Sequence, residues 1–197
     1  MATNTKNIDG KKVKVSGRVM TWSNMISFSR ILVAFPIVYL HYINDFQVTS
    51  TAGLLILYGV ISDYLDGLIA RKTNTISEVG KMIDPIADKL CALVLFVYTV
   101  WIGWIPLWFL ILAMFRDISI MLGSYFIKSK YDKVAMAIMS GKISVNVLAL
   151  YWISVFFFPD VTNVHMFLMA CSVILMVISW IDYFNRYRLI MRGAEFN

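Results

Sequence analysis

The sequence predicts an all-α integral membrane protein: six transmembrane helices preceded by a short interfacial amphipathic helix. Three observations carry this. The 197 residues are 59% apolar with a mean hydropathy of +0.72, whereas a soluble domain is roughly half apolar. Six apolar segments can be drawn, each long or nearly long enough for the ~20 residues that a bilayer crossing takes. None alternates with the period of two that marks a strand, and in lipid a helix satisfies its own backbone.

The elements follow in order. Residues 1–20 are polar and basic, with Gly10 and Gly17, and lack the apolar core and cleavage site of a signal peptide. They read as a flexible cytoplasmic arm ahead of a single membrane domain, 21–197, with no internal repeat. From Met20 to Phe28, apolar and small polar residues mix, which suits a helix lying in the interface, capped by Thr21 or Ser23. The first span runs from about Ile31 to Ile43, the second from Thr51 to Ala70 and the third from Ile86 to Ile105. The fourth covers about Pro106 to Phe126, the fifth Val134 to Phe158 and the sixth Val161 to Tyr183. Trp22, Trp101, Trp104, Tyr151, Trp180 and Tyr183 collect near segment ends, as interfacial belts do. Cys91 and Cys171 lie within apolar stretches and read as packing residues, with no disulfide framework or metal site.

Charge orients the chain. Lys and Arg sit in the N-terminal arm, between segments two and three (Arg71, Lys72, Lys81), between four and five (Lys128, Lys130, Lys133) and at the C-terminus (Arg186, Arg188, Arg192). The opposite connections, near Asn44–Val48, Gly103–Pro106 and Pro159–Asn163, contain none. This positive-inside pattern places both termini on the cytoplasmic side of an inner or plasma membrane. The net charge of +6 belongs to that asymmetry. It points to anionic lipid headgroups and no nucleic acid.

Four of the 12 acidic residues, Asp63, Asp66, Asp84 and Asp88, fall in one short stretch beside or within membrane-grade sequence. An ionised carboxylate at membrane depth costs about 3 kcal/mol or more unless compensated, so such groups mark function. Arg71, Lys81 and Lys89 are too few to neutralise four of them. Hard divalent cations, which prefer carboxylate oxygen, are the natural supplement. Asp63 and Asp66 are three apart and share a helix face; Asp84 and Asp88, four apart, share another, with Asp84 as cap and Pro85 in the first helical position, or else with Pro85 marking a local irregularity. Two adjacent helices presenting these groups can clamp two divalent ions about 3.5–4 Å apart, as in phosphoryl displacement. Gly67 and Gly80, and more weakly Ala70, remove side chains where a ligand can approach, and Arg71 offers a planar fork for phosphate.

The pattern Asp63-x-x-Asp66-Gly67-x-x-Ala70-Arg71, eight residues, Gly80-x-x-x-Asp84-x-x-x-Asp88 resembles the signature of the CDP-alcohol phosphotransferases (CDP-alcohol phosphatidyltransferases) at every fixed position. The resemblance covers most of the chain from about Thr21 and implies a reaction: an alcohol hydroxyl attacks the phosphorus of a CDP-linked lipid, forming a phosphodiester and expelling CMP. It implies two divalent cations, Mg²⁺ or Mn²⁺, held by Asp63, Asp66, Asp84 and Asp88. Asp88 would also be the catalytic base. Asp66, Gly67, Ala70, Arg71 and Gly80 would border the CDP moiety, and relatives are commonly homodimers. The chemistry is coherent in itself. A pyrophosphate needs charge neutralisation, an alcohol needs a base, and lipid tails need apolar surface. No Ser, Cys or His nucleophile is required; His41 and His165 read as interfacial.

Two further cations stand inside apolar spans, Arg116 and Lys142. Arg116 and Asp117, adjacent on a helix, are expected to point apart, which leaves Arg116 and Lys142 to hold the phosphate of an anionic acceptor. The phosphatidylglycerophosphate synthase branch of the family is similar here. It has an interfacial Asn and an Arg six residues on (Asn24, Arg30), an Arg–acid pair (Arg116, Asp117), a Gly-Lys-Ile (Gly141 to Ile143) and an acid-Tyr-Phe (Asp182 to Phe184). Ser23 stands where that branch usually has Pro, and Asp117 and Asp182 where it has Glu. The implied substrates are CDP-diacylglycerol and glycerol 3-phosphate, with inositol phosphate, phosphatidylglycerol or serine open as other acceptors. An aspartate-rich prenyltransferase would need a second acidic loop and more spans. A divalent-cation transporter would place its ligands near the midplane on repeated halves.

Overall fold

A computed structural model describes residues 4–6, 12–15, 22–73, 75–76, 80–131 and 138–193, with side chains over 28–62, 89–131 and 138–193. Six helices dominate: α1 (Trp22–Ile43), α2 (Ser50–Thr73), α3 (Gly80–Trp101), α4 (Leu107–Tyr131), α5 (Met139–Phe157) and α6 (Thr162–Met191). Three short strands accompany them: β1 (Asn4–Lys6), β2 (Lys12–Val15) and β3 (Thr75–Ile76). β1 pairs antiparallel with β2, Asn4 opposite Lys14. β2 pairs parallel with β3, setting Lys14 beside Thr75 and Val15 beside Ile76. The arm therefore carries strands where the sequence reading has none; its Lys-Val-Lys-Val alternation suits a ladder.

The interfacial lead-in and the first span form one continuous helix, α1, which contains Pro36. Of the two expected caps, Ser23 lies within α1 and Thr21 lies outside the described residues. α3 begins at Gly80, so Asp84 stands in its second turn rather than at its cap. Pro85 there forfeits a single intrahelical bond, which explains how the helix runs through it.

Two units, Met1–Tyr98 and Thr99–Asn197, make up the chain. In the first, α1 packs along α2. Arg30, Ala34, Ile37 and His41 form its buried stripe, at the spacing of one helix face. Ser29 Oγ and the Tyr58 hydroxyl, 2.9 Å apart, link the two helices. α1 ends in a six-to-one turn: Phe46 N–H donates to His41 O at 3.0 Å, with Asp45 at φ 51°. The Phe46 ring lies edge-on to His41, centroids 6.0 Å apart, the apolar contact that usually seals such an ending. α3 ends alike, with Trp104 N–H on Thr99 O at 3.0 Å and Gly103 at φ 83°, where glycine avoids the Cβ clash.

In the second unit, α6 packs against both α4 and α5. Phe109 and Tyr151 meet at 4.9 Å between centroids, and Trp152 stacks on Phe156 at 4.8 Å. Ser144, Ser172 and Ser179 are fully buried; small residues let helices approach closely in lipid. Outward, Leu107, Ile111, Phe115, Ile118 and Leu122 expose an apolar face of α4, which acyl chains can cover.

By length and composition α4, α5 and α6 can each cross a bilayer, and Phe28–Ile43, Ser50–Ser62 and Lys89–Trp101 are shorter apolar pieces. The described residues form the six helices of a membrane protein.

Candidate active site

The signature spans the end of one helix and the start of the next. Asp63, Asp66, Gly67, Ala70 and Arg71 lie in the C-terminal half of α2. Gly80, Asp84 and Asp88 lie in the first turns of α3. Residues 74–79 join the helices and carry β3. A link that short keeps Thr73 and Gly80 within about 25 Å. The helical backbone puts Asp63 and Asp66 one turn apart on α2, and Asp84 and Asp88 one turn apart on α3. The side chains of all eight signature residues lie outside the described ones. As a donor set, four carboxylates in two such pairs have the chemistry that hard divalent cations take. Among the described residues no other group of His, Cys, Asp or Glu could hold a metal ion.

Arg116 is buried in the second unit. Contrary to the expectation that neighbours on a helix point apart, its Nη1 pairs with Asp117 Oδ1 at 2.7 Å. The long guanidinium stem folds back far enough to meet the short carboxylate. Nη2 donates to Ser179 Oγ at 2.5 Å. Among the described residues the buried Nε has no hydrogen-bond partner, which leaves one donor of the fork unspent at a site where burial makes that costly. Lys142 is exposed in the first turn of α5, its N–H bonded to Ile138 O at 3.2 Å. Among the described residues, Arg116 bonds to Asp117 and Ser179 and does not reach Lys142.

Sequence reasoning missed three partners. Ser179 sits in an apolar run, where a lone serine carries no periodic signal. Tyr183 has its hydroxyl on Ile138 N–H at 3.3 Å and its ring against Gly141, so the Asp-Tyr-Phe and Gly-Lys-Ile stretches meet. His41, read as interfacial, is fully buried, because the Tyr98 hydroxyl at 2.7 Å supplies a polar partner. Arg30 is buried on α1. Among the described residues Cys91 and Cys171 form no disulfide.

The family model for CDP-alcohol phosphatidyltransferase matches residues 20–178, and the chain belongs to that family. It is a phosphatidyltransferase of the phosphatidylglycerophosphate synthase-like kind. It is 34% identical over 176 residues to a CDP-diacylglycerol--glycerol-3-phosphate 3-phosphatidyltransferase of Aquifex aeolicus, covering 83% of this chain and 94% of that protein. A protein of the same name from Rickettsia typhi is 45% identical over 67 residues, 34% of this chain and 38% of its own. A cardiolipin synthase (CMP-forming) of Streptomyces coelicolor is 34% identical over 103 residues, 51% of this chain and 48% of its own.

Proposed function

We propose that the protein moves the phosphatidyl group of CDP-diacylglycerol to glycerol 3-phosphate and releases CMP, by a two-metal-assisted direct displacement. The likeness to the Aquifex aeolicus protein over nearly its whole length carries the acceptor assignment. A buried arginine with an unspent donor supports it.

Asp63, Asp66, Asp84 and Asp88 would hold two divalent cations, Mg²⁺ or Mn²⁺, which supply charge neutralisation for the pyrophosphate. The chain's own residues do the rest. Asp88 accepts the proton of the acceptor's hydroxyl. That oxygen bonds to the lipid-side phosphorus, and the bond from that phosphorus to the bridging oxygen breaks, CMP leaving with the electron pair. Asp66, Gly67, Ala70, Arg71 and Gly80 border the CDP moiety, while Arg116 and Lys142 hold the acceptor's phosphate. Six spans, with an interfacial first part of α1, set this site at the cytoplasmic face, with both termini on that side. The protein works as a homodimer in the inner or plasma membrane.

The likeness to the cardiolipin synthase over half the chain favours a second reading, with phosphatidylglycerol as acceptor. One assay decides: CMP release from CDP-diacylglycerol by purified protein, with each acceptor and with Mg²⁺, Mn²⁺ or chelator. Release dependent on glycerol 3-phosphate is expected. Release with phosphatidylglycerol alone transfers the assignment to the second reading, and none under any condition favours a transporter.

A further inference from the structure

Ser179 and Tyr183 stand one turn apart on α6 and reach two different helices. Ser179 Oγ accepts from Arg116 Nη2 on α4 at 2.5 Å. The Tyr183 hydroxyl accepts from the Ile138 N–H at 3.3 Å. Its ring lies so close to Gly141 that an added Cβ would stand 2.9 Å from Cε2 and 3.1 Å from the hydroxyl oxygen. Ile138 is the N-cap of α5 and makes no side-chain cap bond of its own. Lys142 follows Gly141, and its N–H closes the turn onto Ile138 O at 3.2 Å. One tyrosine thus grips the turn that carries Lys142, at both its first residue and the residue before the lysine.

We propose that Tyr183 is a positioning residue for the acceptor's phosphate: with Ser179 it sets the register of Lys142 relative to Arg116. This rests on the acceptor pocket proposed above. A lysine ammonium is a point charge on a flexible stem, so where its Cα stands decides which anion it reaches. A guanidinium is a rigid fork whose usefulness depends on its aim. Two such groups share one phosphate only at a set separation, and a displacement of about 1 Å can cost a large factor in rate or affinity. Tyrosine suits the task because its ring is stiff and its tip is polar. Glycine at position 141 weakens a helix by about 1 kcal/mol relative to alanine, and the close seat of the ring gives that cost a purpose.

The test is steady-state kinetics of the purified protein in lipid nanodiscs, with both substrates varied. Gly141→Ala displaces the ring, and the KM for glycerol 3-phosphate is expected to rise about tenfold. Tyr183→Phe keeps the ring and removes the hydroxyl, with an expected rise of about threefold. Both leave the KM for CDP-diacylglycerol within about twofold, a split that general loosening of the fold would not produce. Unmoved glycerol 3-phosphate KM in both variants, or equal losses on both substrates, overturns the proposal. Arg116→Ala and Lys142→Ala run alongside. If these move the acceptor KM and the other two do not, the positioning role alone falls; if none of the four moves it, the pocket falls with it.

Discussion

His41 Nδ1 and the Tyr98 hydroxyl stand 2.7 Å apart in a buried hydrogen bond that fastens the last turn of α1 to the last turns of α3. The rings meet edge to face, centroids 5.6 Å apart. Asp88 lies ten residues earlier on α3, about 15 Å along the axis. The pair holds α1 and α3 together, well away from the proposed base. Tyr98→Phe is expected to lower stability by about 1 kcal/mol, read as a fall in the thermal midpoint in detergent, with kcat unchanged. A large loss of kcat at unchanged stability would contradict this.

Asp88→Asn removes the proposed base and keeps the side chain's size. CMP release is expected to drop about 10²- to 10⁴-fold, with the protein still folded by thermal unfolding. A retained rate moves the base to another aspartate.

Chelation should stop turnover, and either Mg²⁺ or Mn²⁺ should restore it, because four carboxylates in two helical pairs repel one another without cations. Isothermal titration of the unreacted protein should give two divalent ions per chain in the presence of CDP-diacylglycerol. Activity that persists in excess chelator rules out the metal-assisted scheme.

Arg116→Ala strips a buried charge from α4 and leaves Asp117 and Ser179 behind. The KM for glycerol 3-phosphate should rise about 10- to 100-fold, the worth of a charge-assisted bond, while that for CDP-diacylglycerol holds. Ser179→Ala should give a smaller rise in the same direction.

Gly103→Val forces a branched side chain into the left-handed region at φ 83°. A loss of about 1–2 kcal/mol is expected, seen in thermal unfolding and without effect on either KM. An unchanged midpoint would mean that the turn after α3 rearranges freely.

The helices were legible in the sequence because lipid demands long apolar runs; their ends were not. α3 starts at Gly80 and α6 runs on to Met191, beyond the apolar runs, since a helix may leave the bilayer without stopping. Apolar content measures the membrane and not the helix. The aspartate spacing was legible too, because one helical turn imposes it. Three contacts were not: Arg116 with Asp117, Arg116 with Ser179, and Tyr183 over Gly141. The first depends on side-chain reach, which spacing rules ignore. The other two join positions 63 and 42 residues apart, which local periodicity does not see. The Lys-Val-Lys-Val alternation of β2 was visible but too short to stand out in a basic arm.

The hold that α6 keeps on α4 and α5 bears on how the chain is made. Thr162–Met191 leaves the ribosome after α4, so Arg116 is synthesised before Ser179 exists to receive it. Asp117 is beside it from the moment of synthesis. The adjacent acid thus serves as an escort that makes insertion of a cationic segment tolerable until α6 docks.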